Sequence, residues 1–240
     1  MNWPVDIGGH KILQRKSRIS IPDLTEEDAR LFQTEWANAG ETLLELAMMV
    51  RVYNMAMKRV VNMLDLMDDE FQYTSEYDLI HHMESRIKAP HSIYRKLQKY
   101  QLPLSLQAAR ENIYDIAGIR VVCNFVNDIY TVEDKLLQDE SIQLIRRRDF
   151  ITHPKPNGYR SLHLVVKLSV SFAGKVHDVP LEIQLRTVAM DYWATLEHML
   201  QYKSKKDAGQ NYAHVLLKCA QNLADTEESM QFIRDRLEKE

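Results

Sequence analysis

The chain has 240 residues and a mass of 28.1 kDa, room for one large domain or two small ones. Its 45% hydrophobic and 27% charged content is that of a globular protein and excludes a disordered one. A net charge of −3 exerts no global pull on nucleic acid or an anionic membrane, so any basic site must be local.

No run of eighteen apolar residues offers a membrane span, and the opening MNWPVDIGGHKILQRKSR lacks the apolar stretch of a signal peptide. Cys123 and Cys219 have no metal spacing and sit in apolar contexts, which predicts buried free thiols and a cytoplasmic protein.

Residues 1–20 show no periodicity and read as a tail or an early edge element. Thr25-Glu26-Glu27-Asp28 has the form of a capping box, with the Thr25 oxygen offered to the first free amides. A helical region over 20–80 follows, in two pieces broken near Gly40. Between Leu43 and Met67 apolar residues recur at helical spacing, among them Met48, Met49, Met55, Met57, Met63 and Met67. Such a stripe is either gap-filling core or a Met-rich groove.

From about residue 112 the pattern changes to short strands, Ile116–Phe125, Ile142–Arg147, Arg160–Val170 and Val176–Arg186. A helix at Ile129–Leu137 and a loop at Phe172-Ala173-Gly174 interrupt them. Helices interspersed with strands in this way predict an α/β (α+β) fold, a mixed sheet with helices packed on it. Helix returns after Thr187, with Met190, Trp193, Leu196 and Leu200 as a core stripe. Leu216, Leu223, Met230 and Leu237 then fall every seven residues, with Cys219, Thr226 and Ile233 between them. This heptad-type seam serves packing on the parent domain or self-association.

Two strands carry more than packing. In KPNGYRSLHLVV, Asn157-Gly158 signals a turn; beyond it Arg160, Leu162, Leu164 and Val166 alternate with Tyr159, Ser161, His163 and Val165. In PLEIQLRT, Leu181, Ile183 and Leu185 alternate with Glu182, Gln184 and Arg186. If both strands lie in one sheet, their polar groups converge on the same side.

Residues 84–120 hold Arg86, Lys88, Arg95, Lys96, Lys99, Arg110 and Arg120 against only Glu84, Glu111 and Asp115. That local excess points either to an anionic ligand or to a solvated helix face. Asp115 opens a strand containing Gly118, and a glycine there marks a bulge or a close backbone approach. Two carboxylates on adjacent strands can hold Mg²⁺, which shares its shell with phosphates, while nearby cations neutralise phosphate charge and a tyrosine stacks on a base. Together these are the parts of a nucleotide phosphoryl- or nucleotidyl-transfer site. There is no GxxxxGK[ST], GxGxxG, HRD or DFG motif, and no HExxH or CxxC. His81-His82-Met83-Glu84, read as helix, would point its histidines apart and away from a shared metal.

The segments ESRIKAPHSIYRKL, DIAGIRVVC, RRDFITHPKPNGYRSLHLVV and EIQLRTVAMDYWATLEHMLQYK occur in that order over about residues 84–203. They closely resemble the synthetase domain of the RelA/SpoT-type alarmone synthetases, and the small single-domain members in particular, since no hydrolase segment with a His-Asp metal pair is present. The resemblance implies a nucleotidyltransferase-like mixed sheet and transfer of pyrophosphate from ATP to the 3′-hydroxyl of GDP or GTP. The products would be ppGpp or pppGpp and AMP, with Mg²⁺ as cofactor. It also implies a cytoplasmic homotetramer built by terminal helices. Residues 1–240 then form one synthetase domain, with an N-terminal helical region at 20–80, a catalytic core at 81–205 and a C-terminal helix at 206–240.

Carried over by position, the resemblance assigns ATP to Arg86, Lys88, Ser92, Lys96 and Arg120, and the metal to Asp115 with Glu182, which serves as second ligand or as base. The acceptor falls to Tyr159 by stacking, to Arg148, Lys155 and His163 by phosphate contact, and to Gln184 and Asp191. Some members carry Asn where this chain has Asp191. Pyrophosphate transfer to tRNA ends, or a non-catalytic nucleotide sensor or RNA-binding regulator, are the alternatives; the net charge of −3 counts against a large RNA substrate.

Overall fold

Two reciprocal capping boxes launch the N-terminal helices. Thr25 Oγ1 accepts from the Asp28 amide and Asp28 Oδ2 from the Thr25 amide, both at 3.1 Å, which starts α1 (Glu26–Leu31). A π-helical turn over Phe32–Trp36 extends it. Thr42 and Glu45 repeat the device at the start of the 33-residue α2 (Leu43–Ser75), where the Thr42 amide donates to Glu45 Oε2 at 2.9 Å. Gly40, at φ +81°, stands between the two pieces, as expected. The computed structural model describes residues 18–20, 25–36, 40, 42–75, 77–204 and 212–237.

The sheet has six strands: β1 (Arg18–Ser20), β2 (Ile80–Ile87), β3 (Ala117–Cys123), β4 (Gln143–Asp149), β5 (Leu162–Phe172) and β6 (Lys175–Thr187). Their spatial order is β1-β2-β3-β6-β5-β4. The β1/β2 and β3/β6 pairs are parallel and the other three antiparallel, so the sheet is mixed. The helices α3 (Pro90–Lys99), α4 (Leu106–Asn112), α5 (Val126–Leu137), α6 (Val188–Ser204) and α7 (Ala213–Leu237) complete the α+β architecture. β5 and β6 meet in a two-residue hairpin with both central residues at positive φ, Ala173 at 50° and Gly174 at 75°, the turn whose twist matches that of the strands.

Register decides what each face of the sheet does. Ile119 pairs with Ile183 and Ile183 with Leu164, so these buried residues line one face, which meets α2. One residue along, Arg120 pairs with Gln184, Gln184 with His163, and His163 with Arg148. The polar groups of four strands therefore share the opposite face, as the alternation in the sequence required.

Several expectations are corrected. Residues 80–87 form strand β2, not helix; His81 and His82 lie ring against ring with their Nδ1 atoms 2.8 Å apart. The bulge sits in β2 between Ile80 and His82, while Gly118 keeps continuous register and faces open space. β5 starts at Leu162 rather than Arg160. In α6, Met190 and Trp193 are buried but Leu200 is exposed. Cys123 is buried, as expected, but Cys219 is exposed.

The C-terminal seam splits. Ala220 is buried against the body, whereas Met230, Ile233 and Leu237 are 53–68% exposed. α7 is held down by polar ties: Arg160 Nη1 to Glu227 Oε2 at 2.6 Å, Arg234 Nη1 to Asp128 Oδ1 at 2.5 Å, and Trp193 Nε1 donating to the Leu216 carbonyl at 2.8 Å. Among the described residues no helix is long and apolar enough to cross a membrane.

Candidate active site

Asp115 occupies the turn that enters β3, and its two oxygens are divided between two lysines. Lys88 Nζ lies 3.0 Å from Oδ2 and Lys96 Nζ 2.7 Å from Oδ1. Lys88 follows β2 and Lys96 rides on α3, so the end of an interior strand and a helix converge on one carboxylate. α3 is set in place by α1, because the buried Asp28 Oδ1 accepts from the His91 amide at 2.9 Å. Burial works against the charge on Asp28, but hydrogen bonds from Thr25 and His91 outweigh it and hold its pKa below the ordinary value.

Glu182 and Asp115 line one cavity of about 350 Å³ whose wall also includes Arg86, Gly118, Arg120 and Gln184. Gly118 has no side chain to fill this space and nothing lies within 4 Å of where one would start. Gly118 thus leaves the cavity open on the β3 side. Burial raises the pKa of Glu182, but hydrogen bonds from His163 and Gln184 and the charge of Lys96 overcome it and bring the pKa down to about 2.

On the far side of Glu182 five residues close a ring. Tyr159 Oη is 2.8 Å from His163 Nε2, and His163 Nδ1 is 3.4 Å from Glu182 Oε1. Gln184 Nε2 donates to Glu182 Oε2 at 2.9 Å, while Gln184 Oε1 accepts from Arg186 Nη2 at 2.8 Å. Arg186 Nη2 then donates to Tyr159 Oη at 2.9 Å, closing the circuit. A closed circuit of this kind orients its rings and carboxylate, while Arg186 Nε stays buried without a partner. Arg186 also reaches Asp191 Oδ1 at 3.2 Å, and Arg120 reaches the same oxygen at 3.4 Å and Glu84 at 3.1 Å. Through Asp191 the ring is joined to the cationic side of the cavity.

The remaining residues fall at the edges. Arg148 is exposed on β4 directly across from His163. Lys155 lies 4.7 Å from the ring centres of both Phe150 and Tyr159. Ser92 stands one turn before Lys96 on α3, and no described contact joins its side chain to the other site residues. Arg186 is the residue the sequence undervalued: alternation placed it on the polar face, but only register shows that it ties three site residues together. Arg160 and Glu227 were missed altogether. Ser161, fully buried, donates from Oγ to the Leu185 carbonyl at 3.2 Å and stitches the chain entering β5 to β6.

Among the described residues no three His, Cys, Asp or Glu side chains form a metal-binding cluster. Asp115 and Glu182 on one cavity wall nevertheless suit Mg²⁺, which needs one or two carboxylates and completes its octahedron with phosphates and water.

Acid should reveal the ring. Glu182 is bound as a carboxylate, with a native pKa of about 2 against an ordinary 4.5. A depressed native pKa contributes stability that is present above the unfolded value and lost as pH falls through the native one. Glu182→Gln is therefore expected to flatten the decline in unfolding free energy between pH 4.5 and 2, read by urea titration at stepped pH. A slope identical to that of the wild type would show that Glu182 is not held as described.

A mixed sheet bearing paired carboxylates between a cationic wall and an aromatic-histidine ring defines a phosphoryl- or nucleotidyl-transferase of the nucleotide-using kind. Residues 85–207 match the family model described as the region found in RelA / SpoT proteins, and the chain belongs to that family. GTP pyrophosphokinase YwaC of Bacillus subtilis is 39% identical over 73% of this chain and 87% of its own length. The crystal structure of small alarmone synthetase 2 from Bacillus subtilis superposes with a TM-score of 0.68 at 36% identity, covering 77% of this chain and 95% of that one. Small alarmone synthetase 1 from the same organism, bound to its product pppGpp, gives 0.72 at 30% identity over 80% and 98%; bound to AMPCPP it gives 0.68 at 26% over 82% and 99%.

Proposed function

We propose that the protein transfers the pyrophosphoryl group of ATP to the 3′-hydroxyl of GDP or GTP, giving ppGpp or pppGpp and AMP. The observation that carries this is the cavity shared by Asp115 and Glu182, with Arg86 and Arg120 in its wall and the Tyr159–His163 contact beyond Glu182. The relatives crystallised with pppGpp and with AMPCPP support the assignment of acceptor and donor.

In the reaction the acceptor 3′-oxygen bonds to the β-phosphorus as the bond from that phosphorus to the α-phosphate oxygen breaks. AMP departs with the bridging oxygen, and the hydroxyl proton passes from the acceptor to solvent water. Arg86, Lys88, Ser92, Lys96 and Arg120 hold the ATP polyphosphate and balance the charge that builds on AMP. Asp115 and Glu182 would hold Mg²⁺, which when bound would supply Lewis-acid neutralisation of the phosphates. A group with a pKa near 2 keeps a proton poorly at neutral pH, so Glu182 suits a cation better than a base's role.

On the acceptor side, guanine stacks on Tyr159 after the exposed Lys155 swings from the ring towards phosphate. Arg148 and His163 take the same phosphates, while Gln184 and Asp191 are fixed by Arg186 for polar contact with the nucleotide. Pure protein with Mg²⁺, γ-labelled ATP and GDP or GTP should give equal amounts of AMP and a labelled 3′-pyrophosphorylated nucleotide. Bulk tRNA in place of the guanine nucleotide should stay unlabelled. Absence of AMP with both guanine nucleotides, or label on the RNA, would overturn the assignment.

We place the enzyme in the cytoplasm as a homotetramer. The exposed Met230, Phe232, Ile233 and Leu237 of α7 support self-association. Light scattering at micromolar concentration should report four chains; a monomer mass would remove the assembly from the proposal.

A further inference from the structure

A second cavity, about 750 Å³, is more than twice the size of the catalytic one and shares no wall residue with it. It lies between the first turns of α2, Arg110 of α4 and the β5–β6 hairpin. Its volume falls within the usual range for small-molecule sites, roughly 300–1,000 Å³. Met48, Met49 and Val52 supply an apolar floor, and Phe172 and Val179 approach from the hairpin.

The polar groups are unevenly spent. The two carboxylates are already engaged: Glu45 Oε2 accepts from the Thr42 amide and hydroxyl at 2.9 and 2.7 Å, and Asp178 Oδ1 from Ser169 Oγ at 2.6 Å. The donors are less committed. Arg110 and Lys175 make no hydrogen bond or close ion pair among the described residues, and the Arg110 charge reaches Glu45 and Tyr53 only at longer range. Tyr53 is 2% exposed, lines the cavity, and its hydroxyl is buried without a partner. Such a group is costly to bury unless something accepts its proton. Acceptors spent and donors less committed, above an apolar floor, call for a ligand with an anionic end and an apolar body.

We propose that this cavity is a second ligand site that takes an organic anion. Its phosphate or carboxylate group meets Arg110, Lys175 and the Tyr53 hydroxyl, and its aromatic or alkyl body lies on Met48, Met49 and Val52. The site holds no pair of free carboxylates and no activated nucleophile, so it binds rather than reacts. β6 runs from its wall at Val179 to Glu182, three residues or about 10 Å further along the strand. Occupancy there bears on the strand that carries the catalytic carboxylate.

The probe is the aromatic sulfonate 8-anilinonaphthalene-1-sulfonate, titrated by fluorescence into the full chain. The double variant Arg110→Met/Lys175→Met should weaken its binding at least tenfold, whereas Arg120→Met, in the catalytic cavity, should leave it unchanged. Tyr53→Phe should raise the melting temperature, because it removes an unpaired hydroxyl, and yet weaken the probe; a purely structural tyrosine would move both the other way or neither. Displacement by AMP would assign a phosphate on an aromatic body, and displacement by laurate a carboxylate on an alkyl one. Unchanged affinity in the double variant, equal loss in Arg120→Met, or failure of both competitors at millimolar concentration would overturn the proposal.

Discussion

Asp115→Asn is expected to lower the rate of AMP release by at least about a thousandfold, roughly 4 kcal/mol of transition-state stabilisation, without unfolding the protein. The carboxamide keeps the shape of the side chain and removes the charge that Lys88 and Lys96 share. The structural cost is small, because all three side chains are 19–26% exposed and the freed ammonium groups can turn into the open cavity. Pairs of that kind contribute on the order of 1 kcal/mol at most, so the melting temperature should move by only a few degrees.

The kinetic signature separates the assigned role from a general weakening. Arg86, Lys88, Lys96 and Arg120 all remain to hold the ATP polyphosphate, so KM for ATP should hold steady or fall while kcat collapses. Lys96→Met should do the reverse, raising KM for ATP with a smaller loss in kcat, since it removes a contact made in both ground and transition states. Normal turnover in Asp115→Asn would sink the metal assignment, and so would a parallel rise in KM for both substrates.

The polar ring was legible in the sequence because strands advertise their faces. Period-two alternation put Glu182, Gln184 and Arg186 on one side of one segment and Tyr159 and His163 on one side of another, and antiparallel pairing of β5 with β6 brought them together. Where alternation is broken the sequence misleads. β2 follows a 33-residue helix rich in methionine, and its bulge between Ile80 and His82 spoils the strict period, so the segment passed for more helix. The heptad in α7 shows the opposite failure. The spacing is present, but the helix turns Ala220 and Glu227 inwards and leaves Met230, Ile233 and Leu237 outside. A seam records that apolar residues share a stripe, not which body the stripe touches. The Arg160–Glu227 tie joins residues 67 positions apart, and no local pattern announces it.

That tie underlies the second large effect. Gly158→Ala is expected to raise KM for GDP or GTP about tenfold or more while leaving KM for ATP unmoved. Gly158 sits at φ +93°, where a side chain is strained, and an added Cβ would lie 2.7 Å from Ala220 Cβ and 3.3 Å from Leu217 Cδ1. α7 resists moving away, because Glu227 is held by Arg160 and Thr187, and Arg234 by Asp128. The loop must therefore give. The Gly158 amide donates to the Lys155 carbonyl at 2.8 Å and the Lys155 amide to the Tyr159 carbonyl at 3.1 Å, so both acceptor residues shift with it. Backbone strain and overpacking each cost about 1–3 kcal/mol, enough to lower the melting temperature measurably. Pairing the change with Ala220→Gly removes the 2.7 Å contact but not the strained φ, so the double variant should recover part of the acceptor affinity and part of the stability. Full recovery would assign the whole effect to the clash with α7, and an acceptor KM unchanged in Gly158→Ala would show that the turn does not position Lys155 and Tyr159 for the nucleotide.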